Sequence, residues 1–291
     1  LKFGLALPSM IPGLDRDTVF EWCRRIDAGP YASLACGERI TFANPEMMVT
    51  LSTAAALTER VELYLTVLVV PLHSAGLAAK QIATLDVLSG GRVVLGVGVG
   101  GREHDYLAAE RPFAKRRSTM ERKVAEMRRI WRGEPAFEGA SPIGPAPVQS
   151  GGPPILIGAI DPKSIRKAAE WADGVCGFSF GPSGEEIAEG FRALEQGWSE
   201  YGRSGSPRKS VTYWVALGPN GREQMDAYVK RYMEIFGKDV AQAVAPLCTT
   251  TSEAALEETV KIMEDAGADD VVFVPTSTDP DQIDRIADLI A

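Results

Sequence analysis

The sequence predicts a (β/α)8 TIM barrel with insertions, a single domain over residues 1–291. Three observations carry that expectation. Eight short apolar runs alternate with amphipathic stretches along the 291 residues, as in an α/β chain. The clearest runs are apolar at nearly every position, as strands are when helices cover both faces of a parallel sheet. Glycines and charged residues gather where these runs end, and the C-terminal ends of strands are where barrel enzymes keep their sites. A doubly wound open sheet is the competing arrangement of the same alternation.

Taken in order, Lys2 to Leu7 is a short apolar strand closed by Pro8. Asp15 to Ala28 is a helix with Asp15 and Asp17 at its start, where the dipole favours acids. Its apolar face is Val19, Phe20, Trp22 or Cys23, and Ile26. Tyr31 to Cys36 is strand two, followed by Gly37-Glu38-Arg39. Pro45 opens the next helix in its tolerated first turn. Val61 to Val70 is strand three, rich in Val, Leu and Tyr and ended by Pro71. Leu77, Ile82, Leu85 and Leu88 recur at helical spacing, with Lys80, Gln81 and Asp86 between them. Ser89-Gly90-Gly91 stops that helix, because glycine accepts the left-handed conformation of a helix end. Arg92 to Val97 is strand four.

The glycines of Gly96-Val97-Gly98-Val99-Gly100-Gly101 follow, and the next clear helix is Ser118 to Trp131. Gly133 to Pro154 is rich in Gly and Pro and is expected to be an irregular insertion. Pro154 to Ile160 is strand five, and Asp161-Pro162 starts a helix through Trp171. Asp173 to Phe180 is strand six, closed by Gly181-Pro182, then a helix from Glu185 to Tyr201. Ser210 to Leu217 is strand seven, with a helix from Glu223 to Phe236. Gly237 to Thr251 is a second, poorly patterned insertion. Ser252 caps a helix to Ala266, Asp270 to Val274 is strand eight, and Pro280 to Leu289 is the last helix.

Composition narrows the function. The net charge of −8 argues against a nucleic-acid partner, which wants a basic face. No apolar run approaches a membrane span, and no basic-then-apolar segment marks a secretory signal. The four cysteines are scattered without a CxxC pair, which suggests reduced thiols in a cytoplasmic protein. With only His73 and His104 to join them, at the wrong spacing, no metal site is expected.

Gly96 to Gly101 matches GxGxxG by letter. The dinucleotide fingerprint, however, needs a helix opening at its third glycine and an acid about twenty residues on. Here the run follows the fourth strand rather than the first, and Glu121 lies inside a helix. In a barrel the same glycines line the mouth and expose bare backbone to a ligand. Gly158 to Ser164 joins a strand to a helix, so free N–H groups there, with Ser164 and Lys163, suit a phosphate; an ordinary connection with a proline start reads the same way. Glu38 and Arg39 follow strand two, His73 strand three and Arg102 strand four. Each reads equally as a surface or structural group, but all converge on the predicted mouth. Without a lysine for a Schiff base, a borrowed cofactor is the natural source of chemistry.

Leu68-Val69-Val70-Pro71, the stretch Ala79 to Arg92 and Leu95-Gly96-Val97-Gly98 resemble the core signature of the bacterial luciferase-like superfamily of flavin- or coenzyme F420-dependent oxidoreductases. Gly37-Glu38-Arg39-Ile40 and Ile155-Leu156-Ile157-Gly158 support it. The resemblance implies a luciferase-like barrel, often a homodimer. It places the cofactor ring against a strand-three bulge with a cis bond at Thr66–Val67, and the phosphate near Gly98, Val99, Gly100, Gly158, Ala159 and Ser164. Glu38 keeps the family's acidic position. Arg39 replaces a histidine common in relatives, and Gly101 replaces a glutamate of the sugar-phosphate dehydrogenase branch. Glu38, Arg39, His73 and Arg102 are the catalytic candidates. The implied activity is two-electron transfer between F420 and a small organic substrate. The alternatives are an FMN-dependent monooxygenase using reduced flavin and O2, served by a separate reductase, and a flavin-binding barrel without turnover.

Overall fold

The computed structural model describes residues 1–181 and 183–290. Pro182, read from sequence in the turn after strand six, lies outside the described residues. Eight parallel strands close in sequence order into a barrel: Lys2–Ala6 (β1), Ser33–Cys36 (β2), Glu62–Val69 (β3), Val93–Gly98 (β4), Ile155–Ile157 (β5), Gly174–Phe178 (β6), Arg208–Val215 (β7) and Asp270–Pro275 (β8). Around them run Arg16–Ala28 (α1), Met47–Leu57 (α2), Ala75–Ser89 (α3), Glu103–Ala108 (α4), Arg116–Trp131 (α5), Pro162–Ala168 (α6), Gly184–Glu200 (α7), Gly221–Met233 (α8), Lys238–Val244 (α9), Glu253–Asp265 (α10) and Asp281–Ile290 (α11). Closure excludes the open-sheet alternative.

Strand alternation makes two cores. Side chains facing the axis form a narrow one of Ala6, Ala35, Tyr64, Val94, Leu156, Cys176 and Val272. The intervening residues, among them Leu5, Leu34, Leu63, Leu95 and Phe273, pack outward against Trp22, Ile26, Leu51, Ile82 and Met127 of the helices. At the N-terminal end, the first residues of β3, β7 and β8 meet. The Arg208 guanidinium donates to both oxygens of Asp270, at 2.6 and 2.8 Å, and to Glu62 Oε2 at 2.6 Å. Burial opposes the Arg208 charge, but these two carboxylates hold it well above the usual arginine range. The cluster closes the lower end of the barrel beneath Tyr64.

Local signals explain most boundaries. Asp15 caps α1 by accepting from the Thr18 N–H at 2.8 Å, and Ser252 caps α10 through the Ala255 N–H. Gly90 ends α3 at φ 69°, as the double glycine predicts. Pro45 lies two residues before α2, whose N-cap is Glu46, so it precedes the first turn rather than opening it.

Three expectations are corrected. Leu77 and Leu88 of α3 are exposed. The buried stripe is instead Ala75, Ala78, Ala79, Ile82, Ala83, Leu85 and Asp86, because small residues let the helix lie close on the barrel. The buried Asp86 accepts from the Gln149 backbone and side-chain amides at 3.0 and 2.7 Å, tying down the 133–154 segment, which is irregular as expected. The segment 237–251 is not patternless. It forms α9 and a 3-10 turn, Ala245–Leu247. These bury only Ala241, Ala245 and Cys248 against the α8 side chains Met225, Tyr228 and Met233, too few apolar positions to show a period. A short helix, α4, opens just after Gly101, well before Pro112.

Asp27, at the end of α1, holds the turn into β3. Its carboxylate accepts the N–H groups of Glu59, Arg60 and Val61 at 2.9, 2.9 and 3.0 Å. Burial pushes its carboxyl up, but these three donors outweigh it and bring the group below its ordinary 3.8. The stabilisation is therefore complete above that value and is lost as pH falls through the folded-state value. Asp27→Asn is expected to cost about 1–3 kcal/mol at pH 7, with the two proteins converging below pH 3.8. Thermal unfolding across pH checks this; a difference that did not shrink at all as pH fell below 3.8 would remove the carboxylate from the explanation.

Candidate active site

The site begins at a bulge in β3. Pairing with β4 passes from Leu65↔Leu95 to Leu68↔Val97, so three steps on β3 oppose two on β4. The extra residue bends the strand end, and the Thr66–Val67 peptide there is cis, the bond singled out by the resemblance. Val67 then packs on neighbouring strands where only glycine leaves room. A Cβ on Gly98 would stand 2.7 Å from Val67 Cγ2, and one on Gly158 would stand 2.7 Å from Val67 Cγ1. Gly100 has φ 63° and faces Val69 in the same way, at 2.9 Å.

Above this cradle opens a cavity of about 910 Å³. Thr66, Val67, Gly98, Val99, Gly100, Gly158, Ala159 and Ser164 all line it, so the structure gathers every expected cofactor contact into one space. Ser164 differs in detail. Its hydroxyl, expected to face a phosphate, donates to Asp161 Oδ2 at 2.7 Å. With the Ser164 N–H, that bond holds the Asp161 carboxyl below its ordinary value. The cations at this end are Arg117 and Lys167, both on the cavity wall; Lys167 also meets Glu121 at 2.8 Å.

The opposite wall is aromatic. Trp214 packs edge-on to Phe178 at 4.8 Å and to Tyr232 at 5.3 Å, with Phe180 beside them. Tyr228 backs this wall, and burial raises its hydroxyl far above the usual range.

Of the four catalytic candidates, only Arg39 lines the cavity. Glu38 is buried behind the wall. It accepts the Val69 N–H at 2.6 Å and meets His73 Nε2 at 2.7 Å, tying the end of β2 to the turn after β3. The His73 carbonyl is in turn held by Lys123, which also donates to the Pro71 carbonyl at 2.9 Å. Arg102 is 4% exposed and lies against Phe42, Tyr232 and Phe236. Glu103 and His104 are on the surface. Sequence reasoning missed Arg117, Lys167 and the aromatic wall. Alternation along β7 could have found the wall, since Arg208, Ser210, Thr212 and Trp214 form its barrel-facing row.

Among the described residues, no group of three or more His, Cys, Asp or Glu is placed to hold a metal, all four cysteines are free and buried, and no helix is long and apolar enough to cross a membrane. What fits is a flat ring on a glycine floor with an anionic tail toward Arg117 and Lys167. The cavity volume and the glycine backbone along its floor suit such a ligand, and Arg117 and Lys167 share the wall with Glu121 and Asp161.

Comparison with known proteins accords with this geometry. The model of the family described as luciferase-like monooxygenase matches residues 3–271. An uncharacterized protein of Mycobacterium tuberculosis is 34% identical over 168 residues, 55% of this chain and 58% of that protein. The 5,10-methylenetetrahydromethanopterin reductase of Archaeoglobus fulgidus is 34% identical over 151 residues, 49% of this chain and 44% of the reductase. The matches thus span about half the length of these relatives. Among solved structures, an F420-dependent secondary alcohol dehydrogenase in complex with an F420–acetone adduct superposes with TM-score 0.81 at 15% identity, covering 99% of this chain and 98% of that one. At that identity the likeness is one of fold.

Proposed function

Because the chain belongs to the luciferase-like monooxygenase family, we propose that it is a two-electron oxidoreductase that holds coenzyme F420 in this cavity and acts on a small organic substrate. The glycine cradle carries the reading: three glycines that make room for Val67 and Val69 line the cavity just where β4 and β5 end. When bound, the deazaflavin supplies a hydride donor or acceptor at C5. Everything else falls to the chain. Gly98, Gly100 and Gly158 let the ring approach, while Thr66 and Val67 support one of its faces. Arg117 and Lys167 neutralise the tail phosphate at the start of α6. Phe178, Phe180 and Trp214 keep water from the reacting face, where dry surroundings strengthen every polar contact. Arg39 is the cavity's donor to substrate. The fold shared with the F420-dependent secondary alcohol dehydrogenase supports the F420 form.

The second reading is an FMN-dependent monooxygenase, favoured by the family's own description; it brings a partner reductase. Both readings bring a homodimer. Fluorescence titration of the apo protein with F420 and with FMN tests them together. F420 is expected to bind in the micromolar range or tighter. FMN binding alone would transfer the assignment to oxygen chemistry. Binding of neither below about millimolar, near −4 kcal/mol, would end the oxidoreductase reading.

A further inference from the structure

We propose that Arg39, with the buried Arg102 behind it, forms an anion subsite at the aromatic side of the cavity, so that the substrate is a small apolar acid whose carboxylate sits on Arg39. This deepens the oxidoreductase reading and rests on it for the word substrate.

Among the described residues neither guanidinium has an acidic partner in an ion pair. Arg39 donates to the Glu38 carbonyl at 3.0 Å and to the Tyr232 hydroxyl, and Arg102 donates to the Tyr232 carbonyl. All three acceptors are neutral. The Nε of each arginine is buried and has no hydrogen-bond partner. Both guanidiniums lie against the Tyr232 ring, at 4.9 and 5.2 Å from its centroid.

Nearby carboxylates are already occupied. Glu38 is held by Val69 and His73. Asp105 accepts from the Thr41 N–H and hydroxyl at 2.7 and 2.6 Å and from the Ile40 N–H at 3.3 Å. Burial and the neighbouring Arg39 both weigh against the Arg102 charge, while Tyr232 and Asp105 lend it only partial support. Two close, poorly solvated cations without a counter-anion are costly, and a planar guanidinium is shaped for a carboxylate. In a chain of net charge −8, an arginine on the cavity wall with no acidic partner and a second, buried cation behind it marks where an anion belongs.

Its position chooses the anion. Arg39 follows β2 and shares the wall with Trp214, Phe178 and Tyr232, so an apolar body would lie on the rings. The cations offered to a cofactor tail, Arg117 and Lys167, come from α5 and α6 instead.

The test is calorimetric titration of the apo protein with sodium benzoate and with benzamide, its neutral counterpart, alongside F420 and FMN. Benzoate is expected to bind about tenfold or more tighter than benzamide, the worth of one hydrogen bond to a charged group. Arg39→Gln should abolish that preference and leave cofactor affinity within about twofold, a change of a few tenths of a kcal/mol, while Arg39→Lys keeps part of the preference. Circular dichroism and Tm confirm that each variant folds. Equal binding of benzoate and benzamide to the wild type would overturn the subsite. So would loss of the preference in Arg117→Gln rather than in Arg39→Gln. If Arg39→Gln weakened F420 as much as benzoate, the anion would be the cofactor tail and the substrate assignment would fall. If benzoate bound through Arg39 and neither cofactor bound at all, the subsite would stand and the oxidoreductase reading would fall.

Discussion

Arg208→Met is expected to lower stability by about 3–5 kcal/mol, the loss that follows when one partner of a buried ion cluster is removed. The Asp270 side chain is only 6% exposed and would lose both of its guanidinium contacts. Glu62, about one-third exposed, can turn to water, so most of the cost falls on Asp270. The strands meet at this point: Asp270 is in register with Lys2 of β1 and with Ser210 of β7. Strain there reaches three strands of a closed barrel. Methionine keeps much of the volume, which isolates the electrostatic part. Urea unfolding at neutral pH gives the number; a loss under about 1 kcal/mol would class the cluster with exposed ion pairs. Adding Asp270→Asn and Glu62→Gln to Arg208→Met should restore part of the loss, because no buried charge would then stand alone.

Gly158→Leu is expected to weaken binding of either cofactor by about ten- to a hundredfold, the equivalent of roughly 1–3 kcal/mol of overpacking. Its Cβ would already meet Val67 Cγ1 at 2.7 Å and the Val97 carbonyl at 3.2 Å. Val67 is β-branched and has little rotamer freedom, so relief must come by pushing it, or the new side chain, into the cavity. Paired F420 and FMN titrations of variant and wild type measure the effect, with Tm as the control for folding. Unchanged affinity would place the ring elsewhere.

The sequence carried the barrel because alternation and double-faced hydrophobicity are properties of the strands themselves. It carried the backbone side of the site for a related reason. Gly98 and Gly158 lie at strand ends, and parallel topology alone brings strand ends to one mouth. The bulge was legible only by resemblance. Its cause lies partly in Gly96 and Gly98 on β4 and Gly158 just after β5, which leave space for Val67, and nothing in the letters of β3 announces it. Glu38, His73 and Arg102 show the limit of the strand-end rule. Position brings a residue to the mouth, but packing decides where its side chain turns, and here Val69, the His73–Glu38 contact and the Tyr232 carbonyl turn them away from the cavity. Leu77 and Leu88 mislead for another reason: hydrophobicity ranks leucine above alanine, whereas close approach of a helix to the barrel favours alanine.

The barrel-facing row of β7 has a practical consequence. It runs from Arg208 in the lower ion cluster through Ser210 and Thr212 to Trp214 in the cavity wall, a rise of about 20 Å over six residues. Groups that far apart and without shared partners contribute independently. Variants that strengthen the lower end can therefore serve as a fixed chassis for libraries at Arg39, Phe178, Phe180 and Trp214. Gains in thermal tolerance and changes in substrate choice should then combine without mutual interference.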